Sequence, residues 1–293
     1  MALRRIVSER QRRFGSELRS LREQACVTLG DAAAATGMKR PFLSHIEAGR
    51  TAITTERLHT LCEMYGHKGG PYVEALVGMS EATGKGWWSA YKGRVAQSVM
   101  DLAEMESTAV SLHLHESLVI PGLFQVSGYT QAILDTARPV RSTIDDVTAF
   151  RMDRQQILTA ANAPAVHAVI YEAALHMHQG GPDAMRTQLL HLVELAKLPN
   201  VTIQIYPFQA GAYPAFSGPF LHAAPAVPRL GTVVLEHPIK PIHLGGEEHL
   251  AQYSSLFEQL TRHALPPIDP SAAPESHSGK DSLGLIQHVL YTL

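Results

Sequence analysis

The spacing of hydrophobic residues along the chain predicts two regions of different structure. Between residues 14 and 65, apolar side chains recur every three or four positions, which is the period of amphipathic helices. Beyond residue 116, this period alternates with short runs of β-branched and aromatic residues bounded by turns, which are typical of strands. The pattern therefore predicts a small all-α domain followed by a larger mixed α/β (α+β) domain.

Four short helices are predicted in the first region, over residues 14–25, 31–36, 39–48 and 55–65. Thr28 precedes an acidic residue by three positions, a pattern that caps the start of the second helix. A glycine ends that helix, and two short helices joined by a glycine-containing turn form a helix-turn-helix unit. The side chains expected in its core are Leu18, Leu21, Leu43, Ile46, Leu58 and Leu61.

The larger region is predicted to contain a strand-helix-strand unit. The strands are predicted at residues 165–171, 201–206, 219–222 and 232–236, and a helix over 183–198 joins the first two. Such a unit requires helices over at least one face of a sheet. Further helical or apolar segments are predicted at residues 72–77, 129–136, 144–161, 247–263 and 283–293.

Two glycine-containing breaks, at residues 66–71 and 83–86, divide the chain. Between the second break and about residue 115 the sequence again favours helix, beginning at a pair of tryptophans. The predicted organisation is a helix-turn-helix domain at 1–80, a helical linker at 81–115 and the α+β domain at 116–293.

The distribution of charge differs between the two ends of the chain. Residues 1–66 carry eleven basic and seven acidic side chains, whereas the rest of the 293 residues carry 14 basic and 20 acidic ones. A basic module on an acidic body is suited to present one end to a polyanion. Hydrophobic residues form 45% and charged residues 18% of the sequence, which excludes disordered and fibrous classes.

No apolar run is long enough to cross a membrane and no signal-peptide pattern opens the sequence, so we expect a cytoplasmic protein. The two cysteines, Cys26 and Cys62, occupy hydrophobic-pattern positions. This placement favours reduced thiols over a disulfide or a metal pair.

Motifs for catalysis or metal binding are absent from the sequence of the larger domain. Its histidines include the closely spaced pairs 113/115 and 176/178, but no HExxH motif or further cysteine accompanies them. Its glutamates are dispersed, and no G-x-S-x-G, P-loop or GxGxxG motif is present. We therefore expect no metal, no cofactor and no catalytic residue.

A loop in the larger domain is a candidate for binding a ligand or partner. Residues 207–218 follow a predicted strand and are rich in glycine, proline and aromatic residues. Such a loop can shape a cleft, with Phe208, Tyr213 and Phe216 as its candidate lining. A rigid structural turn is the alternative for the same residues.

Three segments of the first region carry a family resemblance, at residues 18–23 (LRSLRE), 37–38 (GM) and 43–50 (LSHIEAGR). Together they resemble the phage-repressor-like (XRE) helix-turn-helix family. The rest of the chain resembles actinobacterial regulators of the WhiJ type, in residues 87–88, 119–125, 151–156, 171–175, 188–192 and 207–214. Two positions depart from the family pattern, with Lys39 in place of a capping Ser or Thr and Ala32 in place of a core Leu.

The resemblance implies a DNA-binding transcriptional regulator with a second domain of uncharacterised biochemistry. Such proteins are often encoded beside a small partner protein and described as antitoxin-like. We therefore expect double-stranded operator DNA and a second copy of the chain as partners, with a small-molecule effector or a small protein as the signal. An antitoxin-like protein that mainly holds its partner is the alternative, and an enzyme with a DNA-binding appendage is a weaker one.

In a helix-turn-helix domain the second helix of the motif lies in the major groove. The residues placed to contact base edges are Lys39, Arg40, Pro41, Ser44 and His45. Arg40 is the main candidate, because a guanidinium can form two hydrogen bonds with a guanine edge. Phosphate contacts are expected from Thr28, Leu29, Arg50, Thr51 and Thr54. A solvated helix face is the alternative reading of the same positions.

Other charged residues of the first region have different expected roles. A cluster near the N-terminus forms either a DNA-binding arm or a flexible tail, and consists of Arg4, Arg5, Arg10, Arg12 and Arg13. The family resemblance implies that Arg22 and Glu47 pair as a structural salt bridge between the first and third helices.

Overall fold

The computed structural model describes residues 4, 6–137, 143–211, 213–214, 218–237, 239–271 and 281–293. Within these ranges the chain forms a helical unit, followed by a six-stranded sheet with helices packed on it. The predicted fold class, an all-α helix-turn-helix region followed by a mixed domain of helices and strands, is confirmed.

The first unit consists of α1 (Glu9–Gln24), α2 (Leu29–Ala35), α3 (Arg40–Glu47), α4 (Thr55–Met64) and α5 (Pro71–Glu81). Hydroxyl side chains cap three of these helices, since Ser8, Thr28 and Thr54 each accept a hydrogen bond from the backbone N–H three residues later. The six aliphatic residues predicted for the core are all at most 1% exposed. α5 is longer than predicted, because Val73 and Leu76 pack into the same core.

The backbones of α1 and α3 approach so closely that the two positions of contact, Gly15 and Gly49, have no room for a side chain. A Cβ atom on Gly15 would lie 2.5 Å from the carbonyl oxygen of Glu47, and one on Gly49 would lie 2.6 Å from that of Gln11. Gly49 also has a φ of +71°, a left-handed conformation in which other residues are strained. These two glycines therefore set the distance between the first and third helices.

The sheet of the second domain has the strand order β3-β2-β1-β4-β5-β6. Its strands are β1 (Ser111–Glu116), β2 (Ala165–Tyr171), β3 (Val201–Tyr206), β4 (Phe220–Ala224), β5 (Thr232–Leu235) and β6 (Ile242–Leu244). The first three strands run parallel to one another, whereas β4, β5 and β6 extend the sheet by antiparallel pairing. The carboxyl end of β1 therefore lies beside the start of β4 and the end of β5.

Helices cover both faces of the sheet. They are α6 (Gln97–Ser107), α7 (Ser127–Ala137), α8 (Ile144–Arg154), α9 (Ala173–His176), α10 (Pro182–Leu195), α11 (Glu247–His263) and α12 (Ser282–Thr292). α7, α10 and α12 contribute side chains to a core on one face, and α11 packs on the other. The predicted strand-helix-strand unit is present, with α10 connecting the parallel strands β2 and β3.

The prediction of a helical segment to about residue 115 is wrong at its end. α6 ends at Ser107, and residues 111–116 form β1 in the middle of the sheet. His113 stacks on Phe257 of α11 with a ring separation of 4.6 Å, and His115 is fully buried on the same face. Strands in the centre of a parallel sheet usually consist of continuous hydrophobic residues. The two histidines interrupt that pattern, so the sequence did not predict this strand.

Replacement of Gly15 by alanine tests the close approach of α1 and α3. The added methyl group would meet the backbone of Glu47, which cannot move as a flexible side chain does. We expect Gly15→Ala to lower the free energy of unfolding by about 1 to 3 kcal/mol, measured by urea denaturation. The control is Gly78→Ala in α5, where a Cβ atom meets nothing within 4 Å and helix propensity improves. Equal stability of the two variants would contradict this account.

Candidate nucleic-acid interface

α3 has one buried and one exposed face. Leu43 and Ile46 are buried in the helical core. On the outer side of the helix and at its start lie Lys39, Arg40, Pro41 and Ser44, all of them exposed, and the half-buried His45. The positions predicted to contact base edges therefore share one surface. Lys39 is the N-cap residue, and its ammonium group forms no ion pair or hydrogen bond with the described part of the chain.

Arg40 extends across the start of α2. A Cβ atom on Gly30 would lie 3.8 Å from both Cδ and Nε of Arg40, so the two helices of the motif contact each other through this side chain. Thr28 is committed to its own cap, because its Oγ1 donates to Asp31 at 2.6 Å and accepts from the backbone N–H of Asp31. Phosphate contact at this end would therefore involve backbone N–H groups near the half-buried Leu29 rather than the Thr28 hydroxyl.

The segment after α3 contains one residue that the sequence placed wrongly. Arg50 is exposed, and Thr54 is exposed at the N-cap of α4. Thr51 was predicted to contact phosphate, but it is only 4% exposed because the turn directs it inward. The Thr51 side chain is thus unavailable to a phosphate, whereas Arg50 and Thr54 remain accessible.

The N-terminal arginines do not form the predicted arm as a group. Arg10 Nε lies 2.5 Å from Glu104 Oε1 of α6, and Arg10 also donates to the carbonyl of Met79. Arg4 donates to the carbonyl of Gly49 at 2.9 Å, while Arg5 lies outside the described residues. These contacts are structural, so the guanidinium groups of Arg4 and Arg10 are bound within the chain, and the charge of Arg10 is paired with that of Glu104.

Arg13 has the same structural use as Arg10, and Arg12 differs from both. Arg13 Nη1 donates to Glu17 at 2.6 Å, and its Nη2 donates to the carbonyl of Arg229 at 2.8 Å. The Arg12 side chain is 58% exposed, and its one ion pair with a described residue is the local pair with Glu9. Of these arginines in α1, Arg12 is the one that stays accessible to solvent.

A nearly buried ion pair joins α1 to α3. Arg22 donates from Nε and Nη2 to the two carboxylate oxygens of Glu47, at 2.7 and 3.0 Å, and from Nη1 to the carbonyl of Val27. The hydrogen bond to Glu47 is the main cause of a raised pKa for Arg22. Both side chains are thereby fixed inside the domain and neither faces the exposed side of α3.

Sequence reasoning missed a buried carboxylate that attaches the helical unit to the sheet domain. Glu17 of α1 accepts hydrogen bonds from Tyr72 at 2.5 Å, from Arg13 at 2.6 Å and from Arg229 at 3.2 Å. Arg229 precedes β5, and the neighbouring Leu230 is buried in the core of the helices. One feature of the sequence could have indicated this buried carboxylate. Glu17 lies four positions before Leu21 and therefore on the apolar face of α1.

The charges around Glu17 determine its protonation. Burial alone would raise the pKa of this carboxyl group, but hydrogen bonds from Tyr72 and Arg13 and the charges of Arg13 and Arg229 outweigh it. The pKa of Glu17 is therefore held below its usual value. The carboxylate is the form that stabilises the junction between the two parts of the chain.

The aromatic loop predicted as a pocket is packed against its own domain. Tyr213 stacks on Tyr171 at 4.4 Å and its hydroxyl lies 2.8 Å from His115 Nε2, while Phe208 stacks on His176 and is half exposed. Phe216 lies outside the described residues.

The structure has a cavity of about 480 Å³ beside β1 and another of about 540 Å³ between α1, α5 and the sheet domain. Neither Phe208 nor Tyr213 lines either cavity.

Two helices that cross at a short turn, the second with an exposed basic face, define the helix-turn-helix class of DNA-binding domains. Residues 13–76 match the sequence model of a helix-turn-helix domain. Residues 99–272, more than half of the chain, match the family described as a domain of unknown function (DUF5753), and the chain belongs to this family. No curated protein and no solved structure gave a significant match.

Two structural features bear on other classes of protein. Among the described residues, no helix has both the length and the apolar character needed to span a membrane. The same part of the chain contains no group of three or more His, Cys, Asp or Glu side chains that could hold a metal ion.

The Arg22–Glu47 pair is tested by comparison with a similar pair on the surface of the same helix. We expect Arg22→Ala to cost roughly 3 kcal/mol of unfolding free energy, because it leaves a buried carboxylate without its partner. Arg19→Ala removes an exposed arginine paired with Glu23 and should leave the free energy of unfolding essentially unchanged, because solvent screens this pair. Urea unfolding followed by circular dichroism measures both, and similar losses would rule out a special role for Arg22.

The Glu17 junction predicts a pH-dependent difference between two proteins. At pH 7, Glu17→Gln should unfold with roughly 2 kcal/mol less free energy than the original chain, because charge-assisted hydrogen bonds are lost. Since the pKa of Glu17 is lowered by folding, its contribution is complete above the ordinary value of about 4.3 and disappears as the pH falls through the folded-state pKa.

The measurement is the difference in unfolding free energy between the two proteins from pH 7 down to pH 3.5. Glu63→Gln, at an exposed position of α4, is the control and should show no such difference. A Glu17→Gln deficit that stays constant over the whole range would contradict the assignment.

Proposed function

We propose that this protein is a transcriptional regulator of the XRE type, related to the WhiJ regulators, that reads operator DNA with α3. The observation that supports this most directly is the exposed face of α3, on which Lys39, Arg40 and Ser44 lie together. Within the described residues, Arg40 forms no ion pair and no hydrogen bond, so its guanidinium is available to an external acceptor. The opposite face of α3 is held rigidly by Arg22 and the buried core.

In the proposed complex, Arg40 donates two hydrogen bonds to a guanine in the major groove. Ser44 and His45, one turn further along α3, contact neighbouring base edges, and Pro41 offers an apolar surface to a thymine methyl group. Arg50 and Thr54 bind phosphates and thereby fix the position of the domain on the duplex.

The proposal includes a homodimer on a two-fold symmetric site. One α3 of eight residues reaches few base pairs, and helix-turn-helix proteins commonly extend recognition through half-sites about 34 Å apart. The DNA-binding domain is assigned to residues 1–80. The acidic remainder of the chain is directed away from the phosphate backbone by its charge.

The second domain is proposed to regulate DNA binding by binding a signal rather than by catalysing a reaction. Support comes from its attachment to α1, since Arg229 bonds to Glu17 and its guanidinium lies 5.0 Å from the ring of Tyr72. Leu230 is inserted among the helices of the first unit. A change in the sheet domain would therefore reach α1, which packs directly on α3 through Gly15.

The proposal is tested by selection of binding sites from random double-stranded DNA, followed by affinity measurements at one fixed salt concentration. We expect a symmetric site and a loss of about 1 to 3 kcal/mol, or roughly 5- to 150-fold, when Arg40 is changed to alanine. The loss should be confined to sites that carry the guanine, so that sequence preference relaxes at one position per half-site.

Arg186→Ala is the matched control, because it removes one exposed arginine from α10 without touching the helix-turn-helix unit. This variant should retain affinity and preference. If the original chain selects no sequence, the proposed function is wrong, and if Arg40→Ala keeps the same preference, the assignment of Arg40 is wrong.

A further inference from the structure

The cavity of about 480 Å³ lies at the edge of the sheet where β1 ends. Glu116 is the last residue of β1, Phe220 is the first of β4, and Glu236 follows directly after β5. All three line the cavity. The carboxyl ends of parallel strands are where α/β sheets place ligands, and β1 is the strand at which parallel pairing changes to antiparallel pairing.

The walls of this cavity combine a large apolar surface with a few ionisable groups. Val99 and Leu102 of α6, Leu123, Val147 of α8 and Leu221 of β4 supply much of the apolar lining. The ionisable groups are Glu116, Arg151, Arg154, Glu236, His237 and His243. Apolar walls with a small number of polar groups are characteristic of small-molecule sites of this size.

Glu116 is a half-buried residue, and the fold leaves one oxygen of its carboxyl group unsatisfied. Its Oε2 atom is inaccessible to solvent and has no hydrogen-bond partner within the described residues. Burial, together with the nearby charge of Glu236, raises the pKa of Glu116 well above its usual range. A carboxyl group in this position costs free energy unless a partner reaches it from the cavity.

Two arginines on α8 present unused donors to the same cavity. Arg151 makes one hydrogen bond within the described residues, from Nη1 to Gln125 Oε1 at 2.5 Å, although its guanidinium has five N–H donors. Arg154 uses Nε and Nη2 in a two-fold bond to Glu106, which leaves Nη1 directed toward Gly122 at the cavity wall. Burial and the charge of Arg154 lower the pKa of Arg151.

The unsatisfied groups do not satisfy one another. In the part of the chain that the structure describes, neither Glu116 nor Glu236 lies within 4 Å of Arg151 as an ion pair, although all of them line one cavity. An anionic ligand would pair with Arg151 and leave Glu116 without a donor. A cationic ligand would pair with the carboxylates and leave Arg151 without an acceptor.

We propose that this cavity binds a small zwitterion with an apolar body, of the class of free amino acids and short apolar peptides. The ligand carboxylate pairs with Arg151 and the open Nη1 of Arg154. The ligand ammonium group pairs with Glu116 and Glu236, and the apolar part of the ligand contacts Val99, Leu102 and Leu221. This assignment rests on the proposed function, in which the second domain binds the signal that regulates DNA binding.

The cavity is connected to the DNA-binding unit through β6. His243 lines this cavity and also the larger one between the two parts of the chain. Its Nδ1 atom lies 3.5 Å from Glu9 Oε2 in the first turn of α1. A ligand that moves His243 would therefore act on the same helix that positions α3.

The test is a titration of the full chain with the twenty amino acids and a set of apolar dipeptides, followed by thermal unfolding and calorimetry without DNA. We expect at least one zwitterion to raise the melting temperature. Its N-acetylated and C-terminally amidated forms, which lack the ammonium group and the carboxylate respectively, should each bind at least tenfold more weakly.

Two variants distinguish a binding role from a structural one. Glu116→Gln and Arg151→Met should each weaken binding of the same zwitterion at least tenfold. Without ligand, both should melt at or above the temperature of the original chain, because a partly desolvated ionisable group with few partners has been removed. Glu258→Gln and Arg262→Met, at exposed positions of α11, are the matched controls and should bind normally.

The inference is overturned if no member of the panel raises the melting temperature, or if the blocked derivatives bind as tightly as the free zwitterion. It is also overturned if the two variants unfold earlier and still bind. Operator binding by the original chain is measured separately. Specific DNA binding without zwitterion binding removes only this inference, and zwitterion binding without specific DNA binding removes only the proposed function.

Discussion

The buried carboxylate of Glu17 is the interaction that joins the two halves of this protein. It lies on α1 and accepts hydrogen bonds from α1 itself, from Tyr72 of α5 and from Arg229 of the sheet domain. A buried anion with several donors is stable only while those donors are in place. The position of the helix-turn-helix unit on the sheet domain is therefore fixed at one face of α1.

The other face of α1 packs on α3 and depends on the close approach of the two backbones. Gly15 and Gly49 allow the backbones to approach closely, and Arg22 pairs with Glu47 across the same contact. The inner side of α3 is held by both packing and charge, whereas the side chains of Lys39, Arg40 and Ser44 on its outer side form no ion pair or hydrogen bond within the described residues. Lys39, Arg40 and Ser44 are therefore exposed on a rigidly held helix. Recognition of a regular DNA groove requires side chains in such fixed positions.

The sheet domain combines well-packed cores with a few ionisable side chains that are poorly paired. Its two cores are closely packed, yet Glu116 and Arg151 lie half-buried beside a cavity and have few partners among the described residues. Natural domains keep such unfavourable groups mainly where a ligand, a proton or a conformational change uses them. The cavity beside β1 is therefore a more informative feature than the aromatic loop around Phe208, because Phe208 and Tyr213 already contact Tyr171 of β2.

Local sequence signals determined the helix-turn-helix unit, because caps, glycine stops and a 3.6-residue period depend only on neighbouring residues. They also located β2, β3, α10 and the exposed side of α3, including Arg40. Signals of this kind failed for β1, where histidines replaced the usual aliphatic residues.

Tertiary structure alone decided where the polar side chains are used. Thr51 turned out to be buried, and Arg10 and Arg13 were drawn into contacts with the second domain rather than toward DNA. Glu17 and Arg229 meet although 212 positions separate them. Glu116 and Arg151 come to one cavity from a strand and a helix. The hydrophobic periodicity of the sequence does not predict these contacts, because they depend on how whole helices and strands pack and not on the preferences of any single segment.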